Sequence, residues 1–354
     1  MKILYAVQAT GNGHIARATE LLPYLQQYGT VDIFLSGSNS SLQAALPVTY
    51  TSNGLSLFYH KNGGLAYRRM LSDLDFKNAY KEAKDLPVEK YDIVINDFES
   101  ITALACKIKK VASVGFGHQA SFQSMQVPRP PVKRFIGELI LKRYAPATTY
   151  VGLHFERYDD FIFSPVLKKN ILHAQPADNG HVTVYLPHYA DEVITAHLRQ
   201  IKDMRFQVFS KQVTHPQREG NIDILPVDNH NFTKSMISST GVITGAGFET
   251  PAEALYLGKK LMCIPIKGQY EQLCNAAALE KNACAQVASV NRSFTDVVCA
   301  WLNNATTQKL VLYNSTGEVV EQVIARAAAL RGREKHCRQN QYTTEDATFT
   351  ALIN

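Results

Sequence analysis

The chain has 354 residues, the length of two ordinary domains. Hydrophobic residues make up 45 % and charged ones 19 %, which excludes a disordered chain and supplies sizeable cores. A formal net charge of +6 is mild for this length and fits an anionic ligand or a membrane surface better than nucleic acid, for which no recognition motif is present.

The chain opens on a short apolar run, Ile3 to Val7, which predicts a buried strand. A glycine turn follows, and Ile15 to Tyr28 predicts a helix ending near Gly29. Val31 to Leu35 and Tyr91 to Ile95 predict further strands, then come a helix through Ala103 to Lys110 and a strand from Ala112 to Gly115. Such alternation predicts a parallel sheet covered by helices. Between Gln123 and Lys169 the pattern is broken by Pro128, Pro130 and Pro131 with basic and aromatic residues, so the domain junction is placed near its end.

Strand signals resume at His181 to Leu186, Phe206 to Phe209, Ile222 to Leu225, Gly241 to Thr244 and Leu261 to Pro265, with an alanine-rich helix from Val319 to Leu330. The expected class is α/β, with two Rossmann-like domains facing each other across a cleft. The expected boundaries are 1–165 for the first domain, 166–330 for the second, and a tail over 331–354 returning to the first. Ligands in such folds bind at the carboxyl ends of the strands and between domains.

The six cysteines, at 106, 263, 274, 284, 299 and 337, form no C-x-x-C pair and read as reduced thiols. No apolar run reaches the roughly 18 residues of a membrane span. No leader-like segment precedes the first strand, so the expected location is the cytoplasm.

Two loops carry the candidate chemistry. The first is Gly11, Asn12, Gly13 and His14, after the first strand and before a helix. Its glycines allow close backbone approach, and a helix N-terminus favours an anion. A histidine here has two readings: a general base for a hydroxyl nucleophile, or a structural cap. Asp97, at the end of its strand, either orients His14 or caps the next helix. Glu99 is a second candidate partner, and His118 and Gln119 are expected on the acceptor side.

The second loop is Gly245, Ala246, Gly247, Phe248 and Glu249, between a strand and a helix beginning near Pro251. Its amides suit a pyrophosphate. Glu253 on the first turns of the helix can accept two ribose hydroxyls. Gln269, Glu271 and Gln272 follow the next strand and suit sugar hydroxyls. Asp73 and Asp75 have the spacing of a metal-binding pair but follow no strand, and they read as a helix start. No metal or cofactor is expected.

With these residues in view, the chain resembles the GT-B glycosyltransferases, in the branch of the MurG-type N-acetylglucosaminyltransferases and the UDP-glycosyltransferases. The resemblance rests on Gly11 to His14, Asp97 to Glu99, Gly245 to Gly247, Glu253, Gly258, Pro265, Glu271, Gln272, Asn275 and Ala276, and covers roughly 1–120 and 180–290. It implies that His14 is base or acceptor residue with Asp97 as its partner. It implies a diphosphate at Gly245 to Phe248, ribose at Glu253 and donor sugar at Glu271 and Gln272. It sets the uracil-contacting loop at Leu225 to Asp228, with Leu225 and Val227 as its apolar contacts. The tandem glycines of the peptidoglycan enzyme are missing from the first loop, and 40–80 and 120–170 match nothing in the family.

The implied activity is metal-independent transfer of a hexose or N-acetylhexosamine from a nucleotide-sugar, with UDP as the expected nucleotide, to an acceptor hydroxyl, in cell-envelope or lipid-linked glycan synthesis. Retaining members show two glutamates eight positions apart; Glu249 and Glu253 are four apart, which predicts inversion. A non-hydrolysing sugar-nucleotide epimerase and a non-catalytic nucleotide-sugar or glycan-binding module remain as alternatives. Residues 132–144 alternate apolar and basic side chains. They read either as a helix at an anionic membrane surface, serving a lipid-linked acceptor at the inner face, or as a helix packed on the first domain.

Overall fold

The computed structural model describes residues 1–9, 12–37, 46–53, 76–282 and 284–332. Gly11, the Asp73–Asp75 pair, Cys337 and the tail beyond 332 lie outside the described residues.

The first half contains β1 (Lys2–Gln8), α1 (Asn12–Leu25), β2 (Thr30–Ser36), β3 (Val48–Ser52), α2 (Phe76–Asp85), β4 (Ile93–Asp97), α3 (Ser100–Lys109), β5 (Val114–Gly117), α4 (Phe135–Arg143), β6 (Thr149–Leu153) and β7 (Ile162–Phe163). Its strands form one parallel sheet in the order β3-β2-β1-β4-β5-β6-β7. Strand β1 is buried on both faces, which explains its unbroken apolar run.

The second half contains α5 (Lys169–Leu172), β8 (His181–Tyr185), α6 (Asp191–Leu198), β9 (Arg205–Ser210), β10 (Gln217–Glu219), β11 (Ile222–Pro226), α7 (Asn229–Ile237), β12 (Gly241–Thr244), α8 (Glu249–Tyr256), β13 (Lys260–Cys263), α9 (Tyr270–Leu279), β14 (Ala285–Gln286) and α10 (Phe294–Asn304). Its sheet runs β10-β11-β9-β8-β12-β13-β14, parallel except for the β10–β11 pair. A last helix, α11, covers 316–332. It lies on the first half, where Arg331 pairs with Asp92 at 2.8 Å, so the return begins ahead of residue 331.

In each sheet the strand order reverses beside the first strand, between β1 and β4 and between β8 and β12. Such switch points leave a crevice at the carboxyl ends of the strands. The loop before His14 follows β1, Asp97 ends β4, and Gly245 follows β12.

Some boundaries differ from the sequence expectation for local reasons. Helix α1 starts at Asn12, so His14 stands in its first turn and not in a loop. Tyr91 is used to cap a 3-10 turn over Val88–Lys90, and β4 therefore starts at Ile93. Lys110, at φ 54°, ends α3 in a left-handed turn that delays β5 to Val114.

Candidate active site

Register pairs Val7 of β1 with Asp97 of β4, which brings the turn after β1 beside that carboxylate. Asp97 is fully buried and accepts from four groups. His14 Nδ1 lies 2.8 Å from Oδ1. Arg17 forks onto it, with Nε 3.0 Å from Oδ2 and Nη2 2.8 Å from Oδ1. Tyr5 donates its hydroxyl to Oδ2 at 3.2 Å. Burial alone would raise the Asp97 pKa, but the charges of Arg17 and His14 outweigh it and hold the carboxyl at about 2.

An ionised carboxylate only accepts, so His14 turns Nδ1–H toward it, beside Arg17 Nη2 at 3.0 Å, and turns Nε2 outward. That Nε2 lies 3.4 Å from Gln119 Nε2, which also donates to Glu271 Oε1 at 3.1 Å. Gln119 thus bridges the histidine of one half and the first turn of α9 in the other.

Gly117 gives the pair its room. It has φ +103°, and a Cβ there would stand 2.8 Å from Asp97 Oδ1 and 3.1 Å from Arg17 Nη2.

Glu99 is not a cleft residue. It caps α3, its carboxylate accepting from Ile101 N at 2.8 Å and Thr102 N at 2.6 Å. Asn96 clamps it from below through Glu99 N and Glu99 O. With the cap supplied two residues later, Asp97 is free to face α1. Phe98 makes the connection at φ 55°.

His118 is likewise covered, at 1 % exposure, and does not line an open acceptor surface. Its Nε2 faces Asn275 Oδ1 at 2.7 Å, and its Nδ1 faces Leu153 O at 3.0 Å. Burial lowers its pKa, against the pull of Glu271 and these bonds.

On the opposite side, Phe248 and Glu249 open α8. Asn275 ties the turn in place by donating to Ala246 O at 3.0 Å. Gly247 has no positive φ, and a Cβ there would meet nothing within 4 Å. Gln272 is pinned as an acceptor from Ile266 N at 2.8 Å. Gln269 precedes α9 with its Oε1 buried and without a partner. Glu253 is 3 % exposed and ion-paired at 3.3 Å with Lys168, on the segment between the two sheets. Burial raises its pKa and Lys168 opposes the rise. Leu225 and Val227, at the end of β11, are partly buried against the apolar core.

The structure therefore brings together His14, Asp97, Gln119, Glu249 and Glu271 across the cleft. Sequence reasoning missed Arg17 as a partner: Nη1 of its guanidinium pairs with Glu249 of the other half. A buried arginine three residues after His14, one turn along the helix, was the available signal. Lys168 and Gly117 carried no local signal.

Residues 1–304 match the family described as Glycosyl transferase family 1. No curated protein matches the chain. The fold is similar to that of UGT89C1 from Arabidopsis thaliana, solved with UDP, at 14 % identity and TM-score 0.59 over 92 % of this chain and 99 % of that one. It is similar to the glycosyltransferase SnogD from Streptomyces nogalater, at 12 % identity and TM-score 0.52 over 92 % and 99 %. The spinosyn rhamnosyltransferase SpnG, solved with thymidine diphosphate, matches at 15 % identity and TM-score 0.52 over 94 % and 100 %. The cleft between two such sheets, with a glycine turn and helix N-terminus on one side and a histidine on the other, is that of a GT-B transferase, and the chain belongs to glycosyl transferase family 1 as a glycosyltransferase.

Proposed function

We propose that the enzyme transfers a hexosyl or N-acetylhexosaminyl unit from UDP to an acceptor hydroxyl, with inversion. The observation that carries this reading is the placement of His14: Asp97 holds one ring nitrogen, and the other faces Gln119, which in turn donates to Glu271 across the cleft. The acceptor oxygen attacks the anomeric carbon and its proton goes to His14 Nε2. The bond from that carbon to the phosphate oxygen breaks, and UDP leaves with the bonding pair. The amides at Gly245 to Phe248 and the N-terminus of α8 meet the growing charge without reorganising. The unpartnered Gln269 Oε1 and the carboxylate of Glu271 suit sugar hydroxyls, and Glu253, shared with Lys168, suits ribose. Leu225 and Val227 take the uracil side.

UDP is favoured by the neighbour solved with it, and thymidine diphosphate is the competing nucleotide. Thermal-shift screening against UDP, GDP, dTDP and their sugars decides between them, because ligand binding raises the melting temperature. Product analysis with a UDP-sugar panel then tests the reaction. Sugar-nucleotide turnover without acceptor indicates an epimerase, binding without turnover a binding module. A product of retained configuration removes the inversion.

The acceptor we propose is lipid-linked, used at the cytoplasmic face of the membrane in cell-envelope glycan synthesis. No described helix is long and apolar enough to cross a membrane. Helix α4 supports peripheral contact. It packs through Gly137 against Tyr270 of the second half, and Leu141 is buried. Its other face leaves Phe135 81 %, Ile136 56 % and Leu139 48 % exposed, beside Met125 and Val132. Lys133, Arg134, Lys142 and Arg143 flank this strip, the composition of a surface seated on anionic lipid. Sedimentation with vesicles of phosphatidylglycerol and phosphatidylcholine at low salt tests it. Binding is expected for the parent and strongly reduced for Phe135→Asp; no binding by the parent ends the membrane reading.

A further inference from the structure

Arg17 is 2 % exposed, yet its guanidinium serves both halves of the molecule. Nε and Nη2 grip Asp97 of β4, and Nη1 reaches Glu249 at the start of α8. Two glycines are shaped around this fork. A Cβ at Gly117 would intrude on Asp97 and Arg17, and one at Gly13 would stand 2.4 Å from Glu249 Oε2. The Glu249 carboxylate is thus seated against the first turn of α1, on the element that carries His14.

We propose that Arg17 is a positioning residue that couples the His14–Asp97 pair to the closed arrangement of the two halves. The inference rests on the transferase reading of His14. With the halves together, the group of Asp97, Arg17 and Glu249 carries one net negative charge. With Glu249 withdrawn, Arg17 and Asp97 cancel. The charge beside the His14–Asp97 pair therefore depends on whether Glu249 is seated on Arg17. The other groups that face His14 are Gln119, from the turn after β5, and behind it Glu271 of α9. Gln119 belongs to the first half with His14, and Glu271 comes from the second.

The fork also fixes geometry. A planar guanidinium that donates to both oxygens of Asp97 stops the carboxylate from rotating, and so holds the ring plane of His14. Lysine offers the charge without the fork.

The test compares the parent with Arg17→Gln, Arg17→Lys and Glu249→Gln. The acidic limb of the kcat/KM profile is expected to move in opposite directions: to lower pH in Glu249→Gln and to higher pH in Arg17→Gln, each by roughly half to one pH unit. Arg17→Lys is expected to keep the limb near the parent while kcat falls about tenfold or more and donor KM changes less. Limbs that coincide in all four proteins, whatever happens to kcat, overturn the proposal, because a merely structural arginine moves rate without moving the limb. Should Arg17→Gln not fold, Glu249→Gln, altered at a partly exposed side chain, still decides it. A readout free of turnover is the nitrogen chemical shift of the His14 ring. The Nδ1–H fraction is expected to change in Arg17→Gln, because Arg17 Nη2 stands 3.0 Å from that nitrogen in the parent. An unchanged tautomer in that variant also overturns the proposal. A parent that transfers no sugar but shows the tautomer change refutes the transferase reading and leaves the positioning role standing.

Discussion

The ring of His118 lies flat on the ring of Phe248, with centroids 3.9 Å apart and planes 8° from parallel. One ring belongs to the first half and the other to the glycine turn of the second, so the two glycine-bearing edges are held in register by an aromatic stack. Phe155 and His154 continue the cluster, at 5.1 Å and 6.1 Å from Phe248. Removing the stacked ring opens the seam and leaves one of Asn275 Oδ1 and Leu153 O short of a donor. His118→Ala is expected to cost about 2 to 4 kcal/mol in a denaturant titration. His118→Phe, which keeps the ring, is expected to lose less. Equal losses in the two variants would show that the bonds rather than the stack hold the seam.

His14→Ala removes the proposed base. Turnover is expected to fall at least about a hundredfold, the low end of general-base effects, with stability close to the parent because the ring is on the cleft surface of α1. Near-normal turnover takes His14 out of the base role.

Glu99→Ala separates the cap from the chemistry. It deletes the acceptor for two amides of α3, and a loss of about 1 to 2 kcal/mol is expected, with turnover near the parent once the protein is folded. A collapse of kcat without loss of stability would return Glu99 to the catalytic group.

Glu253→Ala distinguishes ribose binding from pairing with Lys168. UDP affinity measured by calorimetry is expected to weaken about tenfold or more, the cost of losing hydrogen bonds to two hydroxyls. Unchanged affinity with reduced stability would assign Glu253 to the ion pair alone.

Stability is expected to fall as the pH drops below about 6.5. Burial lowers the pKa of His118, His154, His181 and His188 in the folded chain, the last to about 4. A histidine depressed in this way binds its proton more readily when unfolded, at about 6.5. Its contribution is therefore present above that pH and lost as the pH falls toward the folded value. Asp97, held at about 2, adds a second loss that starts near pH 4, its ordinary range, and continues to its folded value. Urea titrations at pH 7.5, 6.5, 5.5 and 4.5 check the sign; a midpoint that rises over this series contradicts it.

Much of the architecture was legible before any coordinates. Uninterrupted apolar runs such as Ile3 to Val7 marked central parallel strands, because burial on both faces removes the polar alternation of an edge strand. Glycine turns placed between a strand and a helix marked the two cleft loops, and the strand Gly241–Thr244 was bounded correctly. The order of the second glycine turn, Glu253, Glu271 and Gln272 carried the resemblance to the family in the second half. These are local features, set by backbone periodicity and capping within a few residues.

The tertiary structure alone decided the partners. Asp97 and Glu99 each looked able to cap α3 or to face the cleft, and only the fold of Phe98 at positive φ assigned the cap to Glu99 and the cleft to Asp97. Arg17 drew no role from its place in the chain, yet it pairs with Glu249, 232 positions away. His118 read as an acceptor residue and is instead sealed against Phe248. A contact between two separately folded sheets depends on how they are set against each other. No spacing along the chain encodes that placement, whereas the strands and turns that must meet there follow from the pattern of apolar residues and glycines.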